Sequence, residues 1–314
     1  MIWDWIYTGI GLIILLLAGD ALVRGAVNLS LRLGVPALIV SLTIVAFGTS
    51  APELLISISA IFDGVPGLAL GNVVGSNTAN VLLVLGVPAL LATMHTSECD
   101  TRKSYLQMIA ASVLFIVLCF MGAFNWVSGL ILLAALAAML TWAFLEANKH
   151  RKANDDLDDI EGADPGISWP KIIIFLVLGL IGLPLGAELL VKGSTNIARS
   201  FGISETVIGL TLVAIGTSLP ELATTVMAAL RRQADVALGN VIGSNMFNVL
   251  GIMGVASLVG TIPVDPGVMR FDLWIMLGAS LVLIPFVFMG RDINRLWGAV
   301  LAAAYVAYLL IVLI

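Results

Sequence analysis

The chain carries little charge. Of its 314 residues only 11% are Asp, Glu, Lys or Arg, against about 25% in a soluble domain, which excludes a water-facing surface over most of its length. Cysteine and histidine are scarcer, with two of each. Cys99 and Cys119 lack metal-ligand spacing and make no disulfide framework. His95 and His150 fall in connecting segments, so the sequence offers no thiol or imidazole metal centre. The N-terminus has Asp4 where a secretory signal has basic residues, and no small-residue cleavage site ends the first apolar run. That run reads as a retained span. The one acidic run, Asp155, Asp156, Asp158, Asp159, Glu161 and Asp164, lacks EF-hand spacing and reads as a solvated linker.

What is present is apolar sequence: 60% of residues are hydrophobic and the mean hydropathy is +1.09. A helix needs about 20 apolar residues to cross a hydrocarbon core about 30 Å thick. Such segments recur near 5–26, 36–62, 68–93, 104–122, 126–146, 171–198, 204–230, 236–260, 271–289 and 294–313. The pattern predicts an all-α polytopic membrane protein with ten transmembrane helices, embedded in a lipid bilayer. With both termini outside, every basic residue except Lys192, Arg199 and Arg270 falls on the cytoplasmic side, as the positive-inside rule requires. Trp3, Trp5, Trp126, Trp169 and Trp297 lie near span ends, where interfacial aromatics anchor.

The sequence also repeats itself. GTSAPELLISISA from Gly48 matches GTSLPELATTVMA from Gly216, and GNVVGSNTANVLLVLG from Gly71 matches GNVIGSNMFNVLGIMG from Gly239. Both matches have an offset of 168 residues, which also relates Asp20 to Glu188 and Arg24 to Lys192. Five spans per half is an odd number, so the halves enter the membrane from opposite sides. This predicts two inverted-topology five-helix repeats. The first covers 1–146 with its motifs at 46–80, and the second covers 171–314 with its motifs at 214–248. An acidic cytoplasmic linker, 147–170, joins them. Inverted repeats are an architecture of secondary transporters, whose sites lie at the repeat interface near mid-membrane.

Glu53 and Glu221 fall near the middle of their spans with no basic residue in those spans to pair with. A charge at that depth costs about 2.5–3.5 kcal/mol on insertion scales, so it faces a cavity or a partner. Thr49, Ser50 and Glu53 share a helical face by their spacing, as do Thr217, Ser218 and Glu221. Pro52 and Pro220 remove a backbone donor and are expected to free carbonyls such as those of Ala46 and Ala214. The adjoining span adds a stripe, Asn72, Ser76 and Asn80, repeated as Asn240, Ser244 and Asn248. Asn72 and Asn240 suit capping or packing as well as ion contact. Asn77 and Asn245 point off the stripe as interhelical hydrogen-bonders. Carboxylate, hydroxyl, amide and carbonyl oxygens suit hard cations, and flexible cages of such oxygens suit Ca²⁺ better than Mg²⁺. Two carboxylates about 5 Å apart repel by about 3 kcal/mol at an effective dielectric of about 20. Switching sides therefore requires bound cations, which makes the carrier an exchanger. A channel would need an open, multi-site path. An intramembrane hydrolase could use the paired acids, but no substrate-side motif accompanies them.

GTSAPE and GTSLPE, each followed by GN-V-GSN, resemble the two α-repeats of the cation/Ca²⁺ antiporter superfamily, and most nearly those of prokaryotic Na⁺/Ca²⁺ exchangers. The resemblance implies that Ca²⁺ and Na⁺ compete for Glu53 and Glu221. It implies assistance from Ala46, Thr49, Ser50, Ser76 and Asn80, and from Ala214, Thr217, Ser218, Ser244 and Asn248. It also implies one Ca²⁺ exchanged for several Na⁺ across a prokaryotic plasma membrane, with the first and sixth spans sliding as gates. The ions are substrates; no catalytic residue, resident cofactor, nucleic-acid ligand or obligate protein partner is expected. The H⁺/Ca²⁺ branch carries GNxxE where this chain has GTSxPE, and K⁺-dependent relatives carry Asp where Asn248 stands. Both points favour Na⁺ alone, with H⁺ or K⁺ coupling as the alternative. Asp20 with Arg24, and Glu188 with Lys192, are spaced for helical ion pairs.

Overall fold

The computed structural model describes residues 2–153, 167–202 and 214–313. These are nearly all helical: α1 (Ile2–Leu33), α2 (Ala37–Thr49), α3 (Ala51–Phe62), α4 (Gly67–Leu91), α5 (Arg102–Cys119), α6 (Trp126–Ala153), α7 (Trp169–Ser200), α8 (Leu219–Leu230), α9 (Ala234–Val259), α10 (Val268–Phe288) and α11 (Arg295–Leu313). Among the described residues eight helices are long and apolar enough to cross a membrane, and α2 with α3 makes a ninth when counted as one span bent by 40°. The chain is a multi-pass membrane protein. The predicted span 36–62 is thus broken at its motif. The predicted span 204–230 is seen only in its last part, because residues 203–213 lie outside those described. The acidic run from Asp155 to Asp164 lies outside them too.

α6 continues past Glu146 to Ala153, so the first seven residues of the expected linker are helical. That stretch, ANKHRKA, contains no Gly or Pro to stop the helix. α1 and α7 are each 32 residues long, or about 48 Å at about 1.5 Å per residue. They exceed the bilayer core, so they tilt or project from it. The two run antiparallel and close together. A Cβ on Gly11 would stand 2.5 Å from Leu190 N, and one on Gly179 would stand 2.5 Å from Leu22 Cβ. Small residues recur every seven positions on both helices, at Gly11, Ala18 and Gly25 and at Gly179, Gly186 and Gly193. In lipid, where apolar burial drives no association, such small-residue faces let helices pack by direct contact.

The remaining helices enclose α4 and α9, which carry the deepest burial of the described spans. A short antiparallel pairing joins β1 (Ala123–Phe124) to β2 (Ile262–Pro263), and a single bridge joins Met94 to Ile293. Trp3, Trp5, Trp126 and Trp169 are exposed near helix ends, as membrane-interface aromatics are.

A candidate cation site between the two motif copies

Both motifs break the helix at the same place. Ser50 and Ser218 have nearly identical non-helical dihedrals, φ −85° with ψ 5° and φ −87° with ψ 6°. Pro52 and Pro220 then sit in the first turns of α3 and α8, where a missing N–H costs nothing. Glu53 and Glu221 therefore occupy helix N-terminal turns, whose unsatisfied N–H groups and dipole favour a negative charge. This break supports each carboxylate at depth without a basic partner.

The Ala46 carbonyl is not freed as expected. It accepts the Ser50 N–H at 3.1 Å and the Thr49 hydroxyl at 3.3 Å. A proline lacks the donor for the residue four back, so the carbonyl that Pro52 cannot serve is that of Gly48. Ala214 heads the helical turn Ala214–Thr217, and its side chain lies outside those described.

Glu53, Glu221, Thr49, Ser50, Ser218, Ser76, Ser244, Asn80 and Asn248 are all buried, and Thr217 is half-buried. Ser50 Oγ donates to Glu221 Oε1 at 3.0 Å, across the two halves of the sequence. The Thr49 hydroxyl lies 3.3 Å from Asn240 Oδ1 and 3.5 Å from Ser244 Oγ. Asn72 and Asn240 serve packing: their Nδ2 groups donate to the Glu53 and Glu221 carbonyls and to Ser57 and Thr225 hydroxyls. Sequence reasoning missed Ser57 and Thr225, although both stand four residues beyond their glutamates at equivalent positions. Wide helical turns at Asn80–Val84 and Phe247–Ile252 coincide with the last stripe residues. Such turns cluster at functional sites because they displace local backbone from the regular ladder.

Seven buried side-chain polar atoms among the described residues have no hydrogen-bond partner, and five belong to this cluster. They are Glu53 Oε2, Glu221 Oε2, Asn80 Oδ1, Asn248 Oδ1 and Ser218 Oγ. A buried unsatisfied group costs about 1–3 kcal/mol, more when charged. Oxygens left in this way are what a dehydrated cation requires.

The surroundings are not symmetric. A Cβ on Gly243 would meet the Leu42 carbonyl at 2.5 Å and Ala46 Cβ at 2.6 Å, so α2 lies directly on α9. Asp20 pairs with Arg24 at 3.0 Å as expected and also with Arg231, at the end of α8. The expected Glu188–Lys192 pair is absent among the described residues, and both side chains are exposed.

Residues 3–145 and 171–314 match the family model described as sodium/calcium exchanger protein. The chain belongs to this family. The exchanger relatives include the sodium/calcium exchanger MaX1 of Methanosarcina acetivorans, 35% identical over 336 residues and 96% of each chain. The putative antiporter CaxA of Alkalimonas amylolytica is 35% identical over 313 residues, again 96% of each. Among solved structures, the sodium-calcium exchanger NCX_Mj superposes with a TM-score of 0.83 at 32% identity, covering 98% of this chain and 97% of that one. As an exchanger family member the chain is an ion transporter rather than a member of an enzyme family.

Proposed function

We propose that this protein exchanges Ca²⁺ for Na⁺ by alternating access, with the two cations competing for Glu53 and Glu221. The observation that carries this reading is the group of five unpartnered buried oxygens, drawn from both motif copies. Thr49, Ser50, Ser76 and Ser244 complete the oxygen set on the described side chains, and Thr217 and the Ala214 carbonyl complete it as the family resemblance implies; the Ala46 carbonyl, also implied, joins it when the Thr49 hydroxyl turns away from it. Two carboxylates neutralise one Ca²⁺ or several Na⁺, and a vacant pair in a sealed site carries both repulsion and desolvation. Loaded states therefore cross more readily than empty ones, and fluxes are coupled.

The architecture we propose is ten spans in two inverted five-helix repeats, 1–146 and 171–314, joined by the cytoplasmic linker and with both termini outside. Several contacts support it. Elements assigned to one face meet one another: Met94 with Ile293, β1 with β2, Lys103 with Glu146, Asp4 with Asn196. Side-chain bonds also recur at the 168-residue offset, as in Asn72 to Glu53 and Asn240 to Glu221. In that topology the close packing of α9 on α2 at Gly239 and Gly243 lies on the cytoplasmic side.

The experiment is radiocalcium uptake into proteoliposomes under imposed Na⁺, K⁺ or H⁺ gradients. Na⁺-driven uptake that saturates and needs a trans cation is the expected result. Uptake driven only by a proton gradient would overturn the sodium assignment, and flux without a trans cation would overturn exchange.

A further inference from the structure

The two stripe amides whose oxygens lack a partner are not free to turn. Asn80 Nδ2 donates to Asn245 Oδ1 at 3.1 Å, and Asn248 Nδ2 donates to Asn77 Oδ1 at 2.9 Å. Each acceptor is fixed in turn by the opposite backbone: Asn77 Nδ2 donates to the Asn245 carbonyl at 3.2 Å, and Asn245 Nδ2 to the Asn77 carbonyl at 3.4 Å. All four side chains are 1% exposed, so water offers them no alternative. Four asparagines thus form a crossed set in which each half of the sequence holds the amide of the other.

An amide presents its oxygen and its NH₂ in different directions. Tying Nδ2 to the opposite half therefore aims Oδ1 away from it. Among the described residues, the Oδ1 atoms of Asn80 and Asn248 are the two buried amide oxygens left without a partner. We propose that Asn77 and Asn245 are positioning residues of the exchange site, which hold the Asn248 and Asn80 oxygens toward the transported cation. The proposal rests on the reading of Asn80 and Asn248 as ligands. It also gives position 77 a role in specificity, because the Asn77 oxygen accepts and so selects a donor at 248. An amide supplies that donor while still offering an oxygen to the ion. An ionised carboxylate would set oxygen against oxygen.

Oxygens held in fixed places discriminate cations by size, whereas loosened ones adapt. Asn77→Ala is expected to raise the KM for Ca²⁺ by about tenfold, the scale of one lost buried hydrogen bond, and to narrow the preference for Ca²⁺ over Sr²⁺. Maximal flux per folded protein stays near wild type. The decisive measurement is Ca²⁺ KM in Na⁺-loaded proteoliposomes across two backgrounds. The effect of Asn77→Ala should vanish in Asn248→Ala and persist in Asn80→Ala. Asn245→Ala should show the mirror pattern, which provides an independent variant if the first does not fold; Asn77→Ser, which keeps a small acceptor, provides a third with a smaller rise. Equal effects in both backgrounds, or loss of flux with KM and ion preference unchanged, would overturn the positioning role. If Asn80→Ala and Asn248→Ala themselves leave KM unchanged, the ligand reading fails, and the positioning role fails with it.

Discussion

Arg231 at the end of α8 pairs with Asp20 of α1, and Arg24 closes on the same carboxylate at 3.0 Å. Position 63, the equivalent of Arg231, is an aspartate, so the other end of the repeat has no basic residue in this place. The side chains are about one-quarter exposed, where an ion pair contributes about 1 kcal/mol or somewhat more. That is enough to change a conformational ratio several-fold. Removing it by Arg231→Ala should therefore favour the conformation open on the α8 side. Apparent Ca²⁺ affinity measured separately from the two faces of oriented vesicles should shift in opposite directions. The charge swap Arg231→Asp with Asp20→Arg should restore the wild-type ratio. Unchanged affinities on both faces would mean that the pair only braces the fold.

Glu53→Gln and Glu221→Gln keep side-chain size and remove one charge each. Either change should weaken Ca²⁺ binding by at least about 100-fold, corresponding to about 2.7 kcal/mol for a lost charged ligand. The same changes remove a buried, partly unpartnered carboxylate, so the ion-free protein should melt at a higher temperature. Thermal unfolding with and without Ca²⁺ tests both points, because stabilisation by a bound ion follows its affinity. A Ca²⁺-dependent rise in Tm that survives Glu221→Gln would remove that residue from the site.

Outside the membrane, Asp292 ties two connections together through His95 and through the Ser97 hydroxyl and N–H. Burial pushes its carboxyl up, but the Ser97 and His95 contacts outweigh this and leave it below its ordinary value of 3.8. A depressed carboxyl stabilises the fold above the unfolded value, and the contribution disappears as pH falls through the folded one. Hydrogen exchange at Ser97 should accordingly rise below about pH 4, and Asp292→Asn should abolish that pH dependence.

The candidate site was legible because its chemistry is written twice. The offset of 168 residues pairs every acid, hydroxyl and amide, and hydropathy alone separates the spans. Other features depend on three-dimensional register. Nothing in the local sequence connects Arg231 to Asp20, which lie 211 residues apart. Nor does spacing reveal that Asn77, facing off the stripe, holds an amide of the other half. The Glu188–Lys192 pairing did not form for a different reason: the i, i+4 rule measures reach and leaves open which rotamer each side chain takes. Pro52 correctly marked a break, but the carbonyl its missing N–H cannot serve is that of Gly48, four residues back, while the Ala46 carbonyl is engaged by the Ser50 N–H and the Thr49 hydroxyl.

The close approach at Gly243 ties α9 to α2, the helix that carries Thr49. A methyl group on Gly243 would strike the Leu42 carbonyl and Ala46 Cβ, and overpacking of this kind costs about 1–3 kcal/mol. Gly243→Ala should therefore lower the Tm of the ion-free protein and impair exchange, because relieving the clash moves α2 and with it the Thr49 hydroxyl, which lies 3.5 Å from Ser244 Oγ. An unchanged Tm together with full exchange activity in Gly243→Ala would show that α2 can move off α9 without disturbing the site.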